Sequence, residues 1–245
     1  MRSWLRAVLD LLLPPACARC GRGVETDAFV CPPCSVALPP WPPGRCAGCG
    51  DASAGAEGLC SACRDAKLPV ETVLAASAYT DELATFVQRF KYPRAGLLGL
   101  DPAPAALLSH LVRELAREAL SAGRTRPDVV VPVPLHPRRL RVRGFNPAWS
   151  LARALARELE VRADPGLLIR TRDTPTQTGL DRRARARNVA GAFRAATAAR
   201  VPARVWLVDH VVTTGATLFE AARALRRAGA TSVTGVCVAR TPSER

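Results

Sequence analysis

"VWLVDHVVTTGATL", residues 205–218, joins an apolar run to a loop of small and hydroxyl side chains. Residues 204–209 read as a buried strand that ends at Asp209, and the segment after Gly215 reads as a helix. Between them stand Thr213, Thr214, Gly215, Ala216 and Thr217. A loop at such a junction aims backbone N–H groups and hydroxyls at one point, where the helix dipole favours an anion. Asp209 can accept hydrogen bonds from ribose hydroxyls, so a sugar phosphate satisfies both halves of the motif. The chain contains no Gly-x-x-x-x-Gly-Lys and no Gly-x-Gly-x-x-Gly, which excludes an ATP-type P-loop and the dinucleotide fingerprint.

Around this motif the chain alternates strand and helix from residue 72 onward. Residues 72–79 read as a strand, 81–90 as a helix, and a long amphipathic helix runs from after Asp101 to Gly123. "DVVVPVP" is a strand, and "NPAWSLARALARELE" is a helix with Asn146 as N-cap and Pro147 in its first turn. "GLLIRT" is a strand followed by an Arg-rich loop, and "SVTGVCVAR" is a final strand whose Cys237 reads as a buried thiol. Short apolar strands alternating with helices predict an α/β fold, a parallel sheet covered on both faces, with ligands beyond the carboxyl ends of its strands.

The front end is different. Eight of the nine cysteines form four Cys-x-x-Cys pairs: Cys17/Cys20, Cys31/Cys34, Cys46/Cys49 and Cys60/Cys63. Each residue of the first tetrad recurs 29 positions later, and "CARCG" is echoed by "CAGCG", so the segment is an internal duplication. Two such pairs complete a tetrahedral Cys₄ shell, and the reading is two structural Zn²⁺ ions in a duplicated zinc ribbon. A disulfide framework needs an oxidising compartment that the chain does not announce. Sequence-adjacent pairing of the knuckles is the simpler arrangement, and cross-pairing between the tetrads is left open.

The formal net charge is +14, and only Lys67 and Lys91 among the 35 basic residues are lysines. Eight thiolates and two Zn²⁺ ions would lower that charge to near +10, still a field for polyanionic partners. No apolar run of 18 residues occurs, so membrane insertion is not expected. Asp10 interrupts the apolar part of the opening segment, which therefore reads as an amphipathic helix over 1–13 rather than a signal peptide, and the protein as cytoplasmic. The expected organisation is that helix, a double zinc ribbon at 14–66, a connecting strand and helices at 67–127, and a ligand-binding domain at 128–241.

Residues 205–217 resemble the phosphoribosyl pyrophosphate (PRPP) loop of type I phosphoribosyltransferases. "VPVPLHPRRLRVRGFNPAWSLARALA" at 131–156, "RTRDTPTQTGLDRRARARNVAGAF" at 170–193 and paired Cys knuckles before "FKYPRAG" are similar to the ComF family over nearly the whole chain. The resemblance implies a type I phosphoribosyltransferase-like domain in which residues 213–217 hold the 5-phosphate and Asp209 the ribose hydroxyls. The turn from Pro132 to His136, with Val133 and Pro134, would take the pyrophosphate, and residues 172–192 would close over the substrate. Mg²⁺ would arrive mainly with the pyrophosphate. Arg138, Arg139, Arg141 and Arg143, with Arg182, Arg183, Arg185 and Arg187, flank this site in sequence and could clamp the leaving group.

The implied reaction is displacement of pyrophosphate from C1 of the ribose by a nitrogen nucleophile. Asp209 and His210 are the candidate catalytic pair. A glutamine-dependent reaction is not expected, because the chain begins Met-Arg-Ser-Trp and its early cysteines read as metal ligands. Family loops of this kind carry two adjacent acids, and here the second is His210, which removes one carboxylate from any Mg²⁺ site. Two functions therefore stand side by side: a phosphoribosyltransferase with an unidentified acceptor, and a PRPP-fold adaptor or sensor. The family role is in DNA uptake and transformation, alongside the uptake machinery. Lys91, Tyr92 and Arg94, near Phe90, and Arg143 beside Phe145 interleave charge with aromatic rings, a pattern suited to single-stranded DNA, as are the 182–187 arginines.

Overall fold

The computed structural model describes residues 16–17, 19–25, 30–36, 45–51, 58–92, 95–96, 99–100, 103–175, 179, 181–196 and 200–241. The amphipathic helix expected over 1–13 lies outside the described residues, as does Arg94. In chain order the elements are α1 (Pro32–Val36), α2 (Ser61–Arg64), β1 (Thr72–Ala78), α3 (Asp81–Lys91), β2 (Ala95–Gly96), β3 (Gly99–Leu100) and α4 (Ala103–Ser121). There follow β4 (Val129–Pro132), α5 (Pro137–Arg143), α6 (Pro147–Glu158), β5 (Arg162–Ala163), β6 (Leu168–Arg170), α7 (Arg182–Val189), β7 (Phe193–Ala195), β8 (Arg204–Val212), α8 (Ala216–Arg227) and β9 (Ser232–Arg240).

Five strands form one sheet in the order β1-β9-β8-β4-β5, and every pairing in it is parallel. The run "RVWLVDHVV" supplies its middle strand, and the period of two sorts the side chains between two apolar layers. Trp206 and Val208 join Val130 and the buried residues of α3, α4 and α6 on one face. Val205 and Leu207 join Val129, Val131 and α8 on the other. Apolar side chains on both faces are what a parallel strand covered by helices requires.

Four differences from the sequence reading have physical causes. β8 does not stop at Asp209: Val211 and Val212 continue the ladder opposite Ala239 and Arg240, so His210 lies within a strand. "GLLIRT" does form a strand, yet it lies outside the main sheet, where β6 pairs antiparallel with β7 as a separate ribbon. The chain between them folds back on itself through α7, whose N-cap Asp181 accepts from the Ala184 N–H at 2.7 Å, so part of the expected Arg-rich loop is helical. Arginines 138–143 likewise form a helix, capped by the His136 ring, which accepts from the Arg138 N–H at 3.3 Å. α5 buries no residue, so no apolar period marked it in the sequence.

The second Cys-x-x-Cys segment is seated on the sheet. Gly50 has φ +70°, and a Cβ there would lie 2.5 Å from the Val73 carbonyl oxygen, so only glycine permits this approach. Beside it, the Arg240 guanidinium at the end of β9 donates to Asp51 at 3.3 Å, with both side chains 2% exposed. Arg240 Nε and Nη1 make no hydrogen bond among the described residues, so the buried charge relies on Asp51 together with the field of the nearby Cys49 sulfur. Cys237 is fully buried near the Leu74 carbonyl, and burial pushes its thiol up to about 12, which leaves it inert. Among the described residues no helix is long and apolar enough to cross a membrane.

Breaking the Arg240–Asp51 pair should cost far more than replacing it. Asp51→Ala is expected to destabilise the protein by about 3–5 kcal/mol, while Asp51→Leu combined with Arg240→Met should recover most of that loss. Denaturant midpoints check this; an Asp51→Ala midpoint equal to wild type would contradict the assignment.

Candidate functional site

A cavity of about 310 Å³ opens at the carboxyl ends of β4 and β8. Its floor is Asp209–Thr213 with Gly215, Ala216 and Thr217. Gly215 adopts φ +81° as the N-cap of α8, a left-handed conformation that turns the chain sharply from strand into helix. Val133 and Pro134 form one wall, held by Asn146, whose side chain donates to the Val133 carbonyl at 3.0 Å while accepting from the Ala148 N–H at 3.1 Å. The N-cap of α6 thus also fixes the turn after β4.

Among the described residues four cations line the cavity, Lys91, Arg139, Arg143 and Arg170, against one carboxylate, Asp209. Burial pushes the Lys91 ammonium below its usual range, with Asp209 opposing and Arg143 adding to the effect. Arg170 is 6% exposed, stacks on Phe193 at 5.4 Å and donates to the Thr174 hydroxyl at 2.5 Å. Burial and then Arg139 push its guanidinium down, Asp209 and Asp173 hold it up, and its Nε takes no hydrogen bond among the described residues. Arg139 donates to the Thr174 carbonyl at 2.8 Å, so one residue steadies two cations. Concentrated positive charge in a partly enclosed site favours a polyanion.

Asp209 and His210 form a tight pair. The Asp209 Oδ1 accepts from the His210 backbone N–H at 2.8 Å and lies 2.9 Å from the His210 Nδ1. Both contacts fall on Oδ1, and Oδ2 takes no hydrogen bond among the described residues.

Of the residues expected at the anion site, Asp209, Thr213, Gly215, Ala216, Thr217, Val133, Pro134, Arg139 and Arg143 line this cavity, with His210. Thr214 does not; its hydroxyl turns back to the Ala216 N–H at 3.4 Å. Arg138 is exposed and stands 3.8 Å from Asp173. Arg185 reaches Thr213, donating to its hydroxyl at 2.8 Å, whereas Arg182, Arg183 and Arg187 are exposed. Lys91 faces the cavity. Tyr92 is 60% exposed at the rim, under the Arg143 guanidinium at 5.0 Å, which also donates to its hydroxyl at 3.0 Å. Phe90 and Phe145 pack edge to face at 6.0 Å and belong to the core layer. Arg170 escaped the sequence reading, and Asp173 and Thr174 entered it only within the 172–192 stretch; an arginine inside the apolar run "GLLIRT" was the available signal for the first.

The cysteines gather in two groups, Cys17/Cys20/Cys31/Cys34 and Cys46/Cys49/Cys60/Cys63, so the pairing is sequence-adjacent. The sulfurs of Cys20 and Cys31 are 3.7 Å apart, as are those of Cys49 and Cys60. Tetrahedral Zn–S bonds of about 2.3 Å require an S···S edge of about 3.8 Å, so the donor sets fit zinc. With every coordination position filled by sulfur, the ion would be structural.

A parallel sheet flanked by helices, with this loop at the carboxyl end of its middle strand and two Cys₄ groups before it, is a type I phosphoribosyltransferase-like fold joined to a double zinc ribbon. Residues 8–64 match the family model described as "Double zinc ribbon domain". The chain is 34% identical over 227 residues to "DNA utilization protein YhgH" of Salmonella typhimurium, covering 92% of this chain and 90% of that one. It is 35% identical over 153 residues to "Competence protein F" of Haemophilus influenzae, covering 62% of this chain and 65% of that one. The protein belongs to the ComF family, together with these relatives. Among solved structures it is similar to the glutamine PRPP amidotransferase from B. subtilis, with 22% identity and a TM-score of 0.41, covering 61% of this chain and only 30% of that one.

Elemental analysis should find two zinc ions per chain, and Cys31→Ser with Cys34→Ser should lower this to one. Loss of both ions in that variant would contradict independent centres.

Proposed function

We propose that the cavity at the end of β8 binds PRPP with Mg²⁺, and that the protein transfers its phosphoribosyl group to a nitrogen acceptor in the service of DNA uptake or utilisation. The observation that carries this reading is the Gly215 turn: its loop, the Asp209 carboxylate and four cations share one cavity. In this reading the 213–217 loop takes the 5-phosphate, the Asp209 Oδ2 takes the ribose diol, and Arg139, Arg143, Arg170 and Lys91 take the pyrophosphate. Charge leaves C1 with the pyrophosphate, so catalysis would come from cations placed where that charge develops. His210, beside Asp209, would offer a ring nitrogen to the proton of the incoming nitrogen. The metal would be held chiefly by the pyrophosphate, since among the described residues one carboxylate lines the cavity. The names of the relatives support the DNA connection.

Calorimetry with PRPP and Mg²⁺ tests binding, and a pyrophosphate-release screen over candidate nitrogen acceptors tests transfer. Arg139→Ala should weaken PRPP about 10–100-fold, the size of one lost hydrogen bond to a charged group. No heat with millimolar PRPP would overturn the reading. His210→Asp should change the Mg²⁺ dependence of binding or turnover; if neither moves, the histidine has no part in the site.

A second surface observation favours direct contact with single-stranded DNA: Tyr92 is exposed beside Arg143, with Val142 91% exposed nearby on the basic α5. A stacked base and phosphate contacts fit such a rim. Affinity for an oligonucleotide should fall about tenfold or more between 50 and 200 mM salt, and Tyr92→Ala should weaken it without moving the salt slope. Salt-independent binding would exclude this surface.

A further inference from the structure

We propose that the second Cys₄ centre is a working part of the anion site: through Phe219 it positions the phosphate loop, so that metal at Cys46/Cys49/Cys60/Cys63 and PRPP at the loop bind cooperatively. This rests on the PRPP reading and adds a coupling to it.

The first turn of α8 is gripped by three consecutive residues. Leu218 fills the space left by Gly235, where a Cβ would lie 2.6 Å from its Cδ2. Glu220, 8% exposed, accepts from the Gly191 N–H at 3.0 Å and so ties the helix to the corner between α7 and β7. Phe219 lies between these anchors. Its ring sits directly against Gly215: a Cβ on that glycine would come within 2.6 Å of the Phe219 Cε2 and 2.8 Å of its Cζ. The same ring packs, with Leu59 and Leu68, against the buried cysteine cluster of the second centre. One aromatic side chain therefore separates the metal ligands from the left-handed glycine that shapes the loop.

A second link reaches the other side of the loop. Asp51 follows Cys49 by two residues, and its carbonyl accepts from the Cys46 N–H at 2.7 Å. Its carboxylate holds Arg240, which stands opposite Val212 in the sheet register, and Val212 is the residue that enters the loop. The knuckle thus braces the loop before Thr213 and beneath Gly215. The first centre has a different environment: Val24 and Val30 pack on it, and Arg19 pairs with Glu82 at the start of α3. It serves as an internal control.

Without metal the second knuckle loses the bonds that hold its shape, and Phe219 loses its backing. Binding linkage then requires reciprocity: the factor by which metal tightens PRPP is the factor by which PRPP tightens metal. A factor of about ten is a typical size for such coupling.

The test uses the zinc-loaded full chain. PRPP with Mg²⁺ is titrated by calorimetry, and zinc release to a chromogenic chelator is timed with and without saturating PRPP. The expected result is that PRPP slows release of one of the two zinc ions about tenfold and leaves the other unchanged. The slowed ion should persist in the Cys31→Ser/Cys34→Ser variant; if that variant does not fold, the two phases of the wild-type release carry the same information. Phe219→Ala, checked to retain two zinc ions, should bind PRPP about tenfold more weakly and lose the protection, and Phe219→Leu should fall between. Heat of PRPP binding with no protected zinc, or full protection and affinity in Phe219→Ala, would overturn the coupling while leaving the PRPP reading intact. No heat at all would overturn both.

Discussion

A strand buried on both faces can present polar groups to solvent mainly at its ends, and β8 is such a strand. Parallel neighbours occupy both its edges, and apolar layers cover both its faces through Val205, Trp206, Leu207 and Val208. Asp209 and His210 are the first side chains past that layer, and the Gly215 turn follows within a few residues. The position of the carboxylate, the orientation of the loop N–H groups and the direction of α8 all derive from that burial. Shifting the register of β8 by one residue would exchange its two faces and remove Asp209 from the cavity.

Charge is distributed around this end with a purpose. Lys91 arrives from α3, Arg139 and Arg143 from α5, and Arg170 from the β6–β7 ribbon, so three separate elements deliver cations to one carboxylate-poor cavity. Mutual repulsion among them is tolerated because Thr174 accepts from two of the guanidiniums and Arg143 rests on the Tyr92 ring. A bound polyanion would relieve that repulsion. His210 fits the same economy of acids: it takes the position next to Asp209 with no added negative charge, and its Nδ1 lies 2.9 Å from the Asp209 carboxylate.

The fold was legible where local patterns are strong. The apolar run before Asp209, the Asn146–Pro147 cap and the repeated Cys-x-x-Cys spacing each announce an element or a ligand set within a few residues of sequence. What stayed hidden depends on distance or lacks a period. α5 buries nothing, so its helix leaves no apolar stripe to read. β6 is three residues long, too short to reveal that Arg170 points inward or that its partner is β7 rather than the main sheet. The contacts of Arg185 with Thr213, of Phe219 with the second cysteine group and of Arg240 with Asp51 join residues far apart in the chain. No spacing rule reaches across such gaps.

The most direct measurement is a crystal structure of the zinc-loaded protein grown with PRPP and Mg²⁺. The 5-phosphate should lie against the N–H groups of residues 213–217, the ribose diol on Asp209, and the pyrophosphate among Arg139, Arg143, Arg170 and Lys91. PRPP absent from the cavity at saturating concentration, or bound with its 5-phosphate away from the Gly215 turn, would contradict the assignment of this site.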